Sequence, residues 1–398
     1  MKEYDREMEA KRVFLIVIDS VGIGHAKDAA DFGDADTNTL GHISAQYGLS
    51  LPNLSRLGLG NIYPLKTVPQ VSDPAAYYTH MEPSSVGKDS VAGHWEFMGS
   101  VLREPFNNFT ANGFPADLIA AFEHETGRKV LANKEANGVK VIEEYGMEQK
   151  ATGNLIVYTS VDSTFQIAAH EAWIGLDELY KASEIARELT LSKPEWLVSR
   201  VIARPFIGDN GDFTRTGNRH DYALNPYAPI ALETLKAEGF DVIALGKIHD
   251  LYNGVGITRT IATADNADGM EKIITLAHEN FHGLAFLNLV EFDSVYGHPR
   301  NPEGYRDALE YFDAQLPQLL DQLTDDDVLI ITADHGNDPT YHGNDHTREN
   351  VPLLVYSKAF TEPKALRARE TFTDLGATVA DLLGTHFPVG VSFRSDLK

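Results

Sequence analysis

Cysteine is absent from this chain of 398 residues. No disulfide can form, and any metal must be held by oxygen and imidazole rather than thiolate. Basic residues are scarce: 34 Lys and Arg stand against 58 Asp and Glu, for a formal charge of -24. Such a surface repels polyanions on average, so nucleic acid is not an expected partner. A phosphate-bearing small molecule would need a local positive site, from metal ions or clustered arginines. Long apolar runs are missing as well. The run Val13–Ile18 is far too short to span a bilayer, and the opening MKEYDREMEA is charged where a secretory signal is apolar. The expectation is a cytoplasmic protein with no membrane partner and a frayed stretch over residues 1–10.

What is present reads as an ordinary globular chain. The 43% hydrophobic and 23% charged composition supports a large core, and the length supports two domains. Apolar, β-rich runs at 13–18, 241–246, 284–292, 327–332 and 352–356 predict buried strands. Helical spacing over 307–323, with a kink at Pro317, and helices over 269–280 and 371–383 alternate with them. That alternation predicts an α/β core with a mostly parallel sheet sandwiched by helices. The stretch 105–221 differs in character and predicts an inserted α+β cap domain, leaving a discontinuous core of 1–104 and 222–398.

Ligands gather beyond the carboxyl ends of strands in such sheets. Three predicted strands end in acidic or imidazole residues: Asp19, Asp293, and the pair Asp334-His335. "DSVYGH" adds His298 and "ADHGNDPTYHGNDHT" adds His346. A single histidine of this kind is more often a surface or satisfied core residue. The cluster is harder to explain by packing, and its mixed carboxylate–imidazole character suits Zn, Mn, Fe or Co. So many ligands suggest two ions.

"VGKDSVAGHWEFMG" (86–99) holds a candidate nucleophile, Ser90. A serine hydroxyl needs a base or a metal to become nucleophilic, and no GxSxG elbow surrounds it. His94 and Glu96 fit substrate binding, orientation of Ser90 or pinning of the loop. Arg204, Arg215 and Arg219 cluster in an acidic protein, and their planar forks suit phosphate as well as surface carboxylates. Lys247 follows a strand end, and Asp162 fits either sugar hydroxyls or a helix cap.

Together, "VFLIVIDSVGIG", "GKDSVAGHWEFMG", "YTSVDSTFQIAAHE", "NRHDYAL", "NLVEFDSVYGHPRNPEGY" and "TADHGNDPTYHGNDHTRENVPLLVY" resemble, in order, the phosphopentomutase family of the alkaline phosphatase superfamily. The resemblance implies an isomerase that interconverts ribose 1-phosphate or 2-deoxyribose 1-phosphate with the 5-phosphate. It implies two divalent ions, typically manganese, with Asp19, Ser90, Asp334 and His335 around one and Asp293, His298 and His346 around the other. It also implies a phosphorylated Ser90, a bisphosphate primer such as glucose 1,6-bisphosphate, and substrate contacts from Asp162, Arg204, Arg215, Arg219 and Lys247. The family usually has threonine where this chain has Ser90. A metal-dependent phosphatase or phosphodiesterase, a cofactor-independent phosphoglycerate mutase and a catalytically inert binding protein are the competing readings.

Overall fold

The structure, a computed structural model, describes residues 9–160 and 163–398. The chain forms two compact units, one of residues 1–103 and 225–398 and the other of residues 104–224.

The first unit is built on seven strands: β1 (Arg12–Ile18), β2 (Tyr77–Met81), and, after the second unit's six, β9 (Asp241–Leu245), β10 (Arg259–Ile261), β11 (Gly283–Leu289), β12 (Asp327–Thr332) and β13 (Val351–Tyr356). Their order is β10-β9-β11-β1-β12-β13-β2. The first four pairings are parallel and the last two antiparallel. The α/β architecture is therefore the mostly parallel one expected. β1, β11 and β12 are buried along their whole length, as continuous apolar strands between helical layers must be. In register, Val17 stands level with both Asn288 and Thr332, so Asp19 and Asp334 each emerge two residues beyond one common level.

One detail departs from the sequence reading. The predicted strand 284–292 stops at Leu289, and residues 292–297 form a wide helical turn instead. In it the His298 N–H donates to the Asp293 carbonyl at 2.9 Å, five residues back. Turns of this width are rare and concentrate at functional sites. The helix expected over 307–323 is part of Pro302–Gln322, with Pro317 inside it. Proline removes the N–H that would bond the Asp313 carbonyl, and Asn53 Nδ2 donates to that carbonyl at 3.0 Å instead. The helix starts at an Asn301 cap with Pro302 in its first turn. It buries Tyr305, Leu309, Phe312, Leu316 and Leu319 at alternating spacings of four and three.

The second unit is a mixed sheet of β3 (Val130–Glu135), β4 (Leu155–Thr159), β5 (Thr164–His170), β6 (Arg200–Ile207), β7 (Thr214–Arg215) and β8 (His220–Ala223). Helices Ala116–Thr126 and Leu176–Ser192 cover one face over Phe122, Phe165, Leu179 and Val201. Helix Gly138–Thr152 packs on the other, over Val141, Ile142, Ile156 and Phe206.

Candidate metal centre and nucleophile

Asp19 follows β1, and its side chain is wholly buried. One of its oxygens is held: Asn288 Nδ2, from the level of Val17 on β11, donates to Oδ2 at 2.8 Å. The other, Oδ1, has no hydrogen-bond partner. Asp334 repeats the pattern. Its Oδ1 accepts from the Ser20 N–H at 3.0 Å, while its buried Oδ2 has no hydrogen-bond partner. His335 Nδ1–H donates to the Gly336 carbonyl at 3.0 Å, which leaves the Nε2 lone pair facing inward. That nitrogen lies 3.3 Å from Asp19 Oδ1, 3.4 Å from Asp334 Oδ2 and 3.2 Å from Ser90 Oγ.

The second group forms around Asp293. Asn337 Nδ2 donates to its Oδ1 at 2.8 Å. His346 Nε2 stands 3.3 Å from Oδ1 and His298 Nε2 3.2 Å from Oδ2. His298 donates its Nδ1–H to the Asn344 carbonyl at 2.6 Å, again leaving Nε2 for the site. Asp19, Asp334 and His335 offer ligand atoms within 4.8 Å of one another, and so do Asp293, His335 and His346. His335 stands in both groups, and its ring lies 4.3 Å from that of His346.

Two buried carboxylate oxygens without a hydrogen-bond partner, Asp19 Oδ1 and Asp334 Oδ2, converge on His335 Nε2, beside the Ser90 hydroxyl. Such an arrangement calls for a cation. The donor set, oxygen and imidazole without thiolate, fits a divalent ion of the Mn or Zn type. The titration behaviour has the same origin. Burial and then the Asp334 charge raise Asp19 above the usual carboxylate range. Burial opposes charge on Asp334 and Asp293. The imidazoles of His335 and His94 outweigh it at Asp334, and those of His346 and His298 outweigh it at Asp293, holding both carboxyls low. Burial likewise opposes charge on His335, yet Asp334, Asp19 and Asp293 push it up to about 10.

Ser90 is the first residue of helix Ser90–Phe97 and is 6% exposed. Asp89 caps that helix by accepting from the Val91 and Ala92 N–H groups at 2.9 and 3.1 Å. The roles left open for His94 and Glu96 separate cleanly. His94 Nδ1 donates to the Ser90 carbonyl at 2.8 Å and stands 3.1 Å from Asp334 Oδ2, so it positions nucleophile and ligand together. Glu96 is fully buried and accepts from the Ser84, Ser85 and Phe372 N–H groups and the Thr371 hydroxyl, which pins the loop. Asn288 and Asn337 were not singled out by sequence reasoning. Asn288 had a signal, as the polar residue inside the apolar run "LAFLNLV". Asn337 had none beyond its place after the Asp-His-Gly.

Lys247 sits half-buried just past β9. In the second unit, Arg204 on β6 donates to Gln166 Oε1 at 3.1 Å and Arg215 on β7 donates to the Tyr158 hydroxyl at 3.3 Å, both neutral partners. Burial lowers Arg204 from its ordinary range, and the charges of Arg219 and Arg215 lower it further, so the three guanidinium groups share one region. Arg219 is bidentate with Asp221 at 2.6 Å, the ordinary surface pairing. Asp162 lies outside the described residues.

The fold and the site define a metal-dependent α/β enzyme. A model of the Metalloenzyme superfamily matches residues 11–386, and the chain belongs to that superfamily. Solved structures of the same fold include the PH0037 protein from Pyrococcus horikoshii, at 15% identity and a TM-score of 0.51, covering 96% of this chain and 100% of that one. Another is a Leishmania mexicana phosphoglycerate mutase determined at low cobalt concentration. It shows 13% identity and a TM-score of 0.51, covering 97% of this chain and 98% of its own. No helix among the described residues is long and apolar enough to cross a membrane.

Proposed function

We propose that the protein is a phosphoryl-transferring isomerase with phosphopentomutase activity, acting on ribose 1-phosphate or 2-deoxyribose 1-phosphate and the corresponding 5-phosphate. The observation that carries the reading is the position of Ser90 Oγ, 3.2 Å from Nε2 of His335, the residue common to the two ligand groups. The pentose is assigned on the motif resemblance.

Asp19, Asp334 and His335 with Ser90 would hold one divalent ion, and Asp293, His298 and His346 the other, both manganese in this reading. Bound there, the ions supply charge stabilisation on phosphoryl oxygens and lower the proton affinity of the serine hydroxyl. The chain's own part is positional. The capped N-terminus of helix Ser90–Phe97 favours negative charge at Ser90. His94 holds the Ser90 carbonyl, and Asn288 and Ser20 hold one oxygen each of Asp19 and Asp334. Phospho-Ser90 gives its phosphoryl group to the free hydroxyl of the pentose monophosphate, whose proton leaves. A 1,5-bisphosphate results. It turns, the Ser90 oxygen attacks the other phosphorus, and the isomeric monophosphate departs. A bisphosphate such as glucose 1,6-bisphosphate first loads Ser90. Arg204, Arg215, Arg219, Lys247 and Asp162 are assigned to the sugar and its phosphates. The protein works on small molecules in the cytoplasm, without a nucleic-acid or membrane partner.

The test is conversion of ribose 1-phosphate to ribose 5-phosphate with Mn and glucose 1,6-bisphosphate, with free phosphate followed in parallel. Isomerisation without phosphate release, abolished in Ser90→Ala, is the expected result. Release without isomerisation would make the protein a hydrolase. Turnover of phosphoglycerate in place of pentose phosphate would move it to the other mutase chemistry. In the same assay Arg204→Ala and Arg215→Ala should raise KM.

A further inference from the structure

Arg300 does not touch any carboxylate of the candidate centre, yet its side chain reaches every segment that builds the Asp293 half of it. Nε donates to the Gly343 carbonyl at 2.6 Å, Nη2 to the Asp345 carbonyl at 2.7 Å, and Nη1 to both the Gly297 carbonyl at 2.8 Å and Asn337 Oδ1. His298 takes the carbonyl in between, that of Asn344. Three consecutive carbonyls of the loop leading into His346 thus face donors from the segment that carries His298. The fourth bond sets Asn337. With Oδ1 occupied by Arg300, the Asn337 amide must present Nδ2 outward, and that nitrogen donates to Asp293 Oδ1.

The backbone points the same way. Arg300 has φ 56, in the left-handed region where a side chain is unfavourable and glycine is at ease. Strain of that kind persists where the surroundings require the residue. The four acceptors engage all three nitrogens of the guanidinium fork, and an ammonium with three donors on a flexible stem does not reproduce that set. All four are neutral. The positive charge therefore sits among Asp338, Asp345, Asp293 and Asp34 without occupying a ligand oxygen.

We propose that Arg300 is the positioning residue of the second ion: it ties the His298 turn, the His346 loop and the Asn337 amide into one ligand set, while the Asp19, Asp334 and His335 group assembles without it. Only one of the two ions then depends on Arg300. This rests on the two-ion reading above.

The experiment is Mn binding by calorimetry and by electron paramagnetic resonance on the full-length chain, for the native protein, Arg300→Lys and Arg300→Gly. The glycine variant removes the side chain while easing the backbone, so a fold defect from the φ angle is avoided, and the melting temperature of the metal-free forms monitors the fold. Native protein should bind two ions with the spectrum of a coupled pair. Both variants should keep one ion at native affinity, lose affinity for the other by roughly 10- to 100-fold, and show the signal of an isolated ion. Added methylguanidinium should restore the second ion in Arg300→Gly, a rescue that a purely structural defect would not give. Two ions at native affinity in both variants, or equal weakening of both ions, would overturn the role of Arg300 and leave the two-ion reading standing. Failure of the native protein to bind a second ion would overturn that reading and this inference with it.

Discussion

At the scale of single residues the first ligand group is assembled by dividing each carboxylate into a held oxygen and an open one. Asp19 and Asp334 follow that rule, with Asn288 and Ser20 as the holders, while Asp293 takes Asn337 at Oδ1 and faces His298 with Oδ2. A different buried acid behaves otherwise. Glu349 accepts from the Thr39 N–H and from the hydroxyls of Thr39 and Thr347, and its side chain fills the space beside Gly22 and Gly336. Burial and then the facing Asp338 charge raise it to about 7. A carboxyl raised in the fold favours folding below its unfolded value and loses that contribution as pH rises through the folded one. Between pH 4.5 and 7 the loss is about 3 kcal/mol. In metal-free protein, denaturant titrations should therefore show native stability falling over that window relative to Glu349→Gln, whose side chain does not titrate. Parallel pH profiles for the two proteins would contradict this.

At the scale of elements, close approach of helix Ser90–Phe97 to the end of β12 brings Ser90 and the candidate ligands together. A Cβ on Gly93 would come 2.2 Å from the Asp334 carbonyl oxygen. Alanine at this position improves helix propensity but must push the helix off the strand end. Displacement near 1 Å is worth on the order of 100-fold in rate, so Gly93→Ala should lose about that much kcat; native kcat would show that the contact can relax. Much of this layer was legible in the sequence. The runs at 13–18 and 327–332 became β1 and β12 with Asp19 and Asp334 just beyond them, because a strand buried on both faces writes itself as an unbroken apolar run. The wide turn at 292–297 was not legible. "LAFLNLVEF" stays apolar past Leu289, and nothing local says where pairing with β1 ends. The partner that replaces the bond lost at Pro317 was hidden for a related reason: Asn53, which donates to the Asp313 carbonyl, is far away in the chain.

At the scale of the whole molecule, the charge of -24 and the buried carboxylates make the metal-free chain a polyanion with its most costly charges inside the core. Ions that bind only the folded form should raise the melting temperature with concentration, reversibly with a chelator. That Asp19, Asp334 and His335 come together, and Asp293 with His346, was within reach of the motifs; that His335 joins both groups required the fold, because the packing of β1, β11 and β12 sets Asp19, Asp293 and Asp334 around one imidazole. The proposed role of Ser90 is to carry the transferred phosphoryl group. It is tested most directly by incubating the manganese-loaded protein with glucose 1,6-bisphosphate, mapping the phosphorylated peptide by mass spectrometry, and then adding ribose 1-phosphate. A single phosphoryl group on Ser90, passed to the pentose on addition and absent from Ser90→Ala, is the predicted result. An unmodified Ser90 in protein that still turns over, or a phosphoryl group released only to water, would contradict it.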